Sequence, residues 1–194
     1  MGYPVPLEDI KETTILWPDG LQLIELAHAE YQEAVAFARS RYQETIDCRL
    51  DTFYPKFLAR FEHGSIVALL GIRCAGRGAL FLEQYLDQPV ELTLDAINLG
   101  GFQRSQIAEV GGLAAQGVRQ ATRLMEDVRS VLAQSEVEVV VCTANDATQF
   151  CLKRIGVNYL VLAEASESCL TNHQTDWGRY YQGSPKVLAG RVER

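Results

Sequence analysis

The chain has 194 residues, of which 47% are hydrophobic and 22% charged, and it carries a formal net charge of -7 at pH 7. This acidic balance argues against general binding to nucleic acids or acidic membranes, and no apolar run approaches the roughly 20 residues that cross a bilayer. The N-terminal residues lack the basic and apolar regions of a signal peptide, so we expect one cytoplasmic domain spanning residues 1–194.

The N-terminal half of the chain contains both strand and helix patterns. Residues 1–14 are polar and contain prolines, which is typical of a tail or an edge segment. Residues 21–27 alternate well enough to predict a strand, whereas residues 28–47 carry apolar side chains at helical spacing and predict a helix. Two apolar runs, residues 57–61 and 66–74, are predicted to form a β-hairpin.

The segment between this hairpin and the centre of the chain has weaker patterns. Residues 79–86 mix apolar and polar side chains, which suits a short helix or an irregular segment. Residues 90–99 are predicted as another helix, and a glycine-containing link then leads into the central strand.

The central stretch of the chain joins a strand to a helix through a glycine break. Residues 105–110 alternate as a strand does, and Gly111-Gly112 then interrupts the pattern. Such a pair is typical of a β-bulge or of a place where a ligand approaches the backbone. Apolar residues at helical spacing predict a helix over residues 118–132, so a loop of small residues connects the glycine pair to this helix.

The start of this helix is a candidate anion site. The first turn of a helix has free backbone N–H groups at the positive end of the helix dipole, and small residues before it let an anion approach. Gln116, Gly117, Val118 and Arg119 occupy the position where a pyrophosphate would bind. An ordinary strand-to-helix turn, with Gly117 present for its backbone freedom, explains the same residues.

The C-terminal part of the chain is predicted to contain two strands around a short helix. The β-branched run over residues 137–144 predicts a strand buried on both faces. Asn145 can cap a helix over residues 146–155, and residues 159–163 predict another strand. Residues 164–194 are interpreted as a tail rich in aromatic and turn residues. The core face of the helix is predicted to consist of Phe150, Cys151 and Ile155.

Cysteine and histidine give no indication of a metal site. The five cysteines are scattered and form no CxxC pair, and the three histidines lie far apart in the sequence. Neither a zinc site nor a disulfide framework is therefore expected. No GxSxG, Walker or HExxH motif is present.

The order of the predicted elements resembles that of GNAT-type acyltransferases. This resemblance implies an α/β (α+β) fold with three αβα layers around a mixed, mostly antiparallel sheet. Acyl-homoserine-lactone (autoinducer) synthases share the layout and use acyl carriers and S-adenosylmethionine. In GNAT proteins acyl-CoA lies at the glycine break between the fourth strand and the next helix. The loop QGVRQA, residues 116–121, matches the GNAT pattern Q/R-x-x-G-x-G/A in part.

Specific motifs resemble the thermostable hemolysin family of proteobacteria. They are LFLEQYLDQPVE (residues 80–91), IAEVGGLAAQGVR (residues 107–119) and WGRYYQGSPKVLAG (residues 177–190), and GIRCA at residues 71–75 fits as well. With the connecting segments the match covers nearly the whole chain, which is identified as a member of that family on these motifs. Gly112 departs from the pattern, because the family usually has asparagine there.

The resemblance implies acyl transfer more directly than lysis. The family name implies a lytic phenotype, but the sequence has no cationic amphipathic helix and no long alternating strand that would build a pore. The GNAT-like layout implies an N- or O-acyltransferase with an acyl-CoA or acyl-carrier-protein thioester as donor, a small acceptor and no metal. A membrane-active lytic protein and a non-catalytic acyl-ligand-binding relative are the alternatives. A homo-oligomer is also left open.

Three residues are candidates for the chemistry, which needs a carboxylate to orient or deprotonate the acceptor. Glu109 is the first, because a carboxylate in an inner strand is costly to bury unless it is paired or useful. A salt bridge from Glu109 to Arg73 or Arg104 is the alternative. Glu83 is the second candidate, and its alternative is an exposed carboxylate on an amphipathic segment. Arg73 would bind a substrate carboxylate or pair with either glutamate.

The donor site is predicted around the glycine break, where backbone N–H groups beside a bulge can stabilise an oxyanion. Asn145 is included because many GNAT proteins have an asparagine after the fifth strand, although capping alone explains it. The predicted donor-binding residues are Gly111, Gly112, Leu113, Ala114, Gln116, Gly117, Val118, Arg119 and Asn145. Trp177, Tyr180 and Tyr181 either line an acyl-chain pocket or pack the chain end onto its core, and we favour packing.

Overall fold

The computed structural model describes residues 15–51, 53–171 and 175–194, which include a seven-stranded sheet. The order of the strands in the sheet is β1-β2-β3-β4-β5-β7-β6. The β4–β5 pair is parallel and the other pairs are antiparallel, so the predicted mixed, mostly antiparallel sheet is confirmed. The strands are β1 (Leu21–Glu25), β2 (Lys56–Glu62), β3 (Ser65–Cys74), β4 (Ile107–Ala115), β5 (Val139–Ala144), β6 (Leu160–Glu164) and β7 (Lys186–Arg191).

Helices cover both faces of this sheet. On one face lie α1 (Tyr31–Ile46) and α2 (Val90–Ala96), and on the other lie α3 (Val118–Leu132) and α4 (Asp146–Arg154). The α3 helix has the bounds that its apolar stripe predicts, because that stripe packs on the sheet. Its buried residues are Ala121, Leu124, Met125, Val128, Val131 and Leu132. The three predicted αβα layers are therefore present.

Local residue choices explain several of the turns and caps. His63 (φ 52°) and Gly64 (φ 77°) form the β2–β3 turn, and two successive positive φ angles suit the right-handed twist of a hairpin. Asn145 Oδ1 accepts a hydrogen bond from the Thr148 backbone N–H at 3.0 Å, as predicted for the cap of α4. Gly156, with φ 70°, follows the end of that helix.

The glycine pair lies inside β4 and forms a bulge. Gly111 pairs with Gly71 of β3 and Ala114 pairs with Leu69, so β4 has two residues where β3 has one. Gly112 has φ 61°, which glycine adopts readily and other residues rarely. The predicted bulge is confirmed. The prediction that a loop of small residues follows the glycine pair is wrong for Ala114 and Ala115. These two residues belong to β4 and pair with β3.

Strands β4 and β5 share only a short ladder. Ile107–Glu109 of β4 pairs with residues 139–141 of β5, and the pairing then ends. Beyond this point β4 stays with β3, whereas β5 stays paired along its whole length with β7. The two central strands therefore separate and leave a gap in the middle of the sheet.

The sequence analysis missed β7. Residues 164–194 were interpreted as a tail, but Lys186–Arg191 of that segment lies between β5 and β6 and pairs with both. The strand is short and both partners precede it at a distance in the sequence, so no local pattern indicates it.

Two burial predictions also need correction. Phe150 was predicted on the core face of α4 but is 54% exposed, whereas Cys151 is buried against α3. The β5 strand was predicted to be buried on both faces, but Val140, Cys142 and Thr143 are half-buried because they border the gap beside β4.

A buried ion pair ties α3 to the sheet, since Arg60 of β2 is 3% exposed and bonds to Asp127. We expect Asp127→Ala to lower the free energy of unfolding by roughly 3–5 kcal/mol, because it leaves the Arg60 charge buried without its partner. Urea unfolding measures the loss. Glu126→Ala, on the exposed side of α3, is the matched control and should cost less than about 0.5 kcal/mol. Equal losses in the two variants would contradict this account.

Candidate active site

The gap between β4 and β5 opens into a cavity of about 450 Å³, a volume within the range of small-molecule sites. Its walls come from β4, β5, α3, α4 and the C-terminal end of α1. The interior is mostly apolar, and its helical wall includes Ala121, Met125, Val128, Cys151, Leu152 and Ile155. The cavity can therefore hold an elongated ligand with an apolar part.

Most of the predicted donor-binding residues line this cavity. They are Gly111, Gly112, Leu113, Ala114, Gly117, Val118 and Asn145. Gln116 and Arg119 do not line it and are exposed next to its lining residues. The structure thus brings the predicted set together around one opening, with two members outside the wall.

The N-terminus of α3 is open at one end of the cavity. Gly117, with φ 91°, precedes the helix, and no heavy atom lies within 4 Å of a Cβ built on it. No side chain caps this end, although the backbone N–H of Gln116 is used by the carbonyl of Val67 at 2.8 Å. The free N–H groups of the first turn can therefore donate hydrogen bonds to an anion that enters from solvent.

A second cation lies near this helix end and was missed by the sequence analysis. Arg41 of α1 donates from Nε to the carbonyl of Ala115 at 3.1 Å and lines the cavity. In the sequence it lies among the polar residues of α1, and no local pattern singles it out. Only the packing of α1 beside β4 shows that Arg41 reaches the strand that precedes α3.

The paired glycines of β3 and β4 accommodate an aromatic ring. A Cβ on Gly71 would overlap the ring of Tyr54, and a Cβ on Gly111 would overlap its hydroxyl oxygen and lie 3.1 Å from Cζ. Glycine is needed at both positions because any side chain would displace the ring. The guanidinium carbon of Arg73 lies 5.3 Å from the centroid of the same ring. Tyr54 was not among the predicted site residues.

Glu109 lies on the face of the sheet that the Tyr54 ring covers, and its side chain is buried, with 1% exposed. Its Oε2 accepts the backbone N–H of Phe81 and its Oε1 that of Leu82, each at 3.0 Å. Burial raises the pKa of the carboxyl group, while these two bonds and the charge of Arg73 oppose the rise. Within the described residues Glu109 forms no ion pair with Arg73 or Arg104, so neither predicted salt bridge is present.

Glu83 has the contacts of a structural residue. Its carboxylate accepts the backbone N–H groups of Leu80 at 2.7 Å and Val90 at 2.9 Å, and Arg104 Nη1 bonds to it at 2.8 Å. Burial disfavours the charged form, but the bonds from Arg104, Val90 and Leu80 outweigh it and lower the pKa of Glu83. Arg104 also bonds to Glu91. A catalytic role for Glu83 stays a prediction, and the exposed carboxylate proposed as its alternative is wrong.

Trp177 and Tyr181 pack onto the core, as the favoured interpretation predicts, whereas Tyr180 lines the cavity, as the alternative predicts. The Trp177 ring lies 5.8 Å from Phe81 and 5.9 Å from Tyr181 between ring centroids. Tyr180 lines the cavity and donates its hydroxyl to the carbonyl of Thr143 at 3.3 Å. The Thr143 Oγ1 atom is buried and has no hydrogen-bond partner among the described residues.

The cavity wall contains a thiol, but the thiol is protonated. Cys142 of β5 lines the cavity, and burial together with the charge of Glu109 raises its pKa to about 12. A thiol of this kind is a poor nucleophile at neutral pH. In the described parts of the chain, no group of three or more histidine, cysteine, aspartate or glutamate residues is arranged to hold a metal ion. No helix there is long and apolar enough to cross a membrane.

The fold is similar to that of solved acyl-transferring enzymes. FeeM, an N-acyl amino acid synthase from uncultured soil microbes, matches with a TM-score of 0.60 and 13% identity over 89% of this chain and 94% of that one. The AHL synthase LasI matches with a TM-score of 0.58 and 12% identity over 89% of each chain. These likenesses confirm the predicted GNAT-like, autoinducer-synthase-like fold, and at such identities they show the fold alone.

A third solved structure adds a bound donor. BjaI, a CoA-dependent acyl-homoserine lactone synthase solved with SAM and isopentyl-CoA, matches with a TM-score of 0.57 and 15% identity over 90% of this chain and 83% of that one. A search of curated proteins found no match to the chain.

The family comparison covers most of the chain. The model for thermostable hemolysin matches residues 24–194, which include the glycine pair of β4, Glu83, Glu109 and the C-terminal strand. The resemblance of the motifs is therefore confirmed, and the chain belongs to the thermostable hemolysin family.

Proposed function

We propose that the protein is an N- or O-acyltransferase that takes an acyl group from an acyl-CoA or acyl-carrier-protein thioester. The observation that carries this proposal is the apolar cavity at the separation of β4 and β5, with a bulge in its wall and an open helix N-terminus at one end. The three similar enzymes named above support it, because each is named for making an N-acyl amino acid or an acyl-homoserine lactone.

The cavity suggests how a thioester donor would lie. Its phosphates would bind the first turn of α3, where Arg119 adds positive charge and Arg41, which is paired with Glu44, lies close by. The acyl chain would lie in the apolar part between α3, α4 and β5, which excludes water from it. The unpartnered hydroxyl of Thr143 would find a polar partner in the ligand.

The chemistry needs no covalent enzyme intermediate. The acceptor amine or hydroxyl attacks the thioester carbon, the new C–N or C–O bond forms, and the C–S bond breaks. The acceptor loses one proton and the departing thiolate gains one. Glu109 is proposed as the base or orienting carboxylate, because burial raises its pKa and makes it a stronger base than an exposed carboxylate. Arg73 would hold the acceptor by binding a carboxylate group of the acceptor.

The first prediction concerns binding of the donor. We expect acyl-CoAs to raise the melting temperature by an amount that grows with chain length, because a longer chain buries more apolar surface. At about 100 times the dissociation constant the gain is about 2.7 kcal/mol, or roughly 5–10 °C for a chain of this size. Thermal-shift titrations with free CoA and S-adenosylmethionine alongside make the measurement.

The outcomes of this titration separate the alternatives. A shift with release of free thiol on adding amines supports the transferase. A shift without turnover of any acceptor would favour the non-catalytic binder. No shift with acyl-CoA and no acylation from acyl-carrier protein would contradict the proposal, and lysis of cells by the purified protein without thioester would support the lytic alternative.

The second prediction concerns the phosphates. Gly117→Asp should weaken acyl-CoA binding by at least about tenfold, because it places a negative charge against the anion at the helix N-terminus. Gly101→Asp is the matched control, since Gly101 also has a positive φ (86° against 91°) and open space around it. Isothermal titration calorimetry compares the two. Equal affinities of the two variants for acyl-CoA would show that the donor phosphates do not bind at the N-terminus of α3.

The third prediction concerns Glu109. We expect Glu109→Gln to abolish turnover, a loss of at least about 100-fold in kcat, because the amide cannot accept the acceptor proton. In the variant the NH₂ group of the amide faces a backbone N–H that the carboxylate oxygen had accepted. Two donors then face each other, so some stability is lost. Asp127→Asn, which weakens the bond of another carboxylate to a buried arginine away from the cavity, should lose stability but keep kcat per folded molecule. If the activity of both variants fell in parallel with the fraction of folded protein, the role of Glu109 would be structural.

A further inference from the structure

We propose that the donor carries an acyl chain of about 12 carbons, and that an ion pair between Arg129 and Glu193 closes the cavity behind the end of that chain. This inference rests on the proposed acyltransferase function. It adds the length class of the acyl group and the two residues that set the limit. Both residues lie outside the predicted catalytic and donor-binding sets.

The cavity extends along the inner side of α3. The apolar residues of this helix that line it recur every three or four positions, so they form one stripe from the first turn to the last. They are Val118, Ala121, Met125, Val128 and Leu132. On the side of the sheet, the lining continues along β7 and into the residues that follow it. The cavity is therefore long, with the open N-terminus of α3 at one end and the segment after β7 at the other.

The gap between β4 and β5 divides this length into two parts. With the donor phosphates at the first turn of α3, the pantetheine arm would follow β4 from Ala115 to the bulge at Gly112. The thioester would then lie in the gap, where Cys142 of β5 lines the wall. The acyl chain would occupy the second part, which Val110 and Val140 line with apolar groups.

The length of the second part follows from β7, which runs beside β5. Leu188 pairs with Cys142 at the gap, and Val192 comes four residues later. The N–H of Val192 donates to the carbonyl of Glu138 at 2.9 Å, so the extended pairing continues that far. An extended chain rises about 3.3 Å per residue, which places Val192 roughly 13 Å from the gap. A fatty chain advances about 1.2 Å per bond, as an extended backbone does, so about 12 carbons fill this distance.

An ion pair lies at the end of the second part. Arg129 of α3 donates from Nη2 to the carboxylate of Glu193, and both side chains line the cavity. Arg194 holds the same segment, because its Nη2 lies 2.9 Å from the carboxylate of Glu138 and 3.2 Å from the carbonyl of Ser135. These bonds fasten the segment after β7 to α3 and to the turn before β5.

The charges of this pair limit the length of the chain. Each methylene that enters the apolar part should tighten binding about fourfold. A chain that is longer than this part must separate Arg129 from Glu193 or turn back on itself, so further carbons gain nothing. Because an exposed ion pair contributes little to stability, it can be removed without unfolding the protein. Chain length and stability can therefore be tested separately.

The test measures the dissociation constants of saturated acyl-CoAs from hexanoyl-CoA to hexadecanoyl-CoA by isothermal titration calorimetry. With the wild-type protein, affinity should rise by about fourfold per methylene up to dodecanoyl-CoA and then stay level or fall. Glu193→Ala opens the end of the cavity. This variant should bind hexadecanoyl-CoA at least about tenfold more tightly than dodecanoyl-CoA, because the added methylenes now bury apolar surface.

Glu25→Ala is the matched control. The Glu25 side chain of β1 is 53% exposed, as that of Glu193 is, and it pairs with Lys56 at 2.6 Å outside the cavity wall. Its loss should leave the wild-type profile of affinity against chain length unchanged. An extension of the profile by Glu25→Ala as well would attribute the effect to net charge and overturn the role of the Arg129–Glu193 pair.

A second variant shortens the cavity instead of opening it. Val128→Phe adds a ring to the stripe of α3 inside the cavity. Dodecanoyl-CoA should therefore lose at least about tenfold in affinity relative to hexanoyl-CoA. Because the result is a ratio between two donors on the same folded protein, a loss of stability in this variant does not change it.

The outcomes separate this proposal from the proposed function. A wild-type affinity that keeps rising to hexadecanoyl-CoA, or the same profile in Glu193→Ala and wild type, would overturn the proposal, and acyl transfer from any of these donors would leave the acyltransferase standing. A limit at dodecanoyl-CoA that Glu193→Ala removes, without transfer to any acceptor, would support the chain site and contradict the enzyme. If transfer occurs only from acyl-carrier protein, the same chains on that carrier give the profile. No binding and no transfer with either donor would overturn both.

Discussion

Beyond Glu109, β4 pairs with β3 and no longer with β5, and the candidate site depends on this constraint. A strand shares its hydrogen bonds with a neighbour only while the two remain about 4.8 Å apart. The bulge at Gly112 shifts the register of β4 against β3, whereas β5 stays paired with β7. Backbone groups on the open side of β4 then have no ladder partner in β5. Burying such groups without hydrogen-bond partners would cost free energy. A ligand with amide or carbonyl groups of its own can supply the missing partners, which suits this gap to a binding site.

Two carboxylates, the buried Glu109 and the partly buried Glu83, hold residues 80–90 in place. Glu109 and Glu83 each accept two backbone N–H bonds from residues 80–90, but their pKa values shift in opposite directions. The difference comes first from burial, which is deeper at Glu109, and then from Arg104, which bonds directly to Glu83 and not to Glu109. The charge of Glu83 is therefore compensated by direct bonds, and its catalytic role stays a prediction. Glu109 retains an uncompensated tendency to take up a proton, which is the property that acid–base chemistry uses.

The sequence predicted those features that are encoded within one element. The apolar stripe over residues 118–132, the Asn145 cap and the bulge at the glycine pair are local, and the structure has all three. Features that need two distant elements were missed. Tyr54 and Arg41 reach β4 from other parts of the chain, and their positions depend on packing that no spacing indicates. β7 was missed for the same reason, since both strands that flank it come earlier in the chain.

The placement of β7 also has a consequence for how the protein folds. β1, β2 and β3 pair in sequence order, and β2 and β3 form a local hairpin, so this half of the sheet can form before the C-terminal residues are made. Among the described residues β6 pairs only with β7, and β5 without β7 has only its three-residue ladder with β4. During synthesis the distal half of the sheet must therefore wait, with β5 and β6 unjoined, until Lys186–Arg191 has left the ribosome. That interval exposes two apolar strand edges, and chaperone dependence is expected to concentrate there.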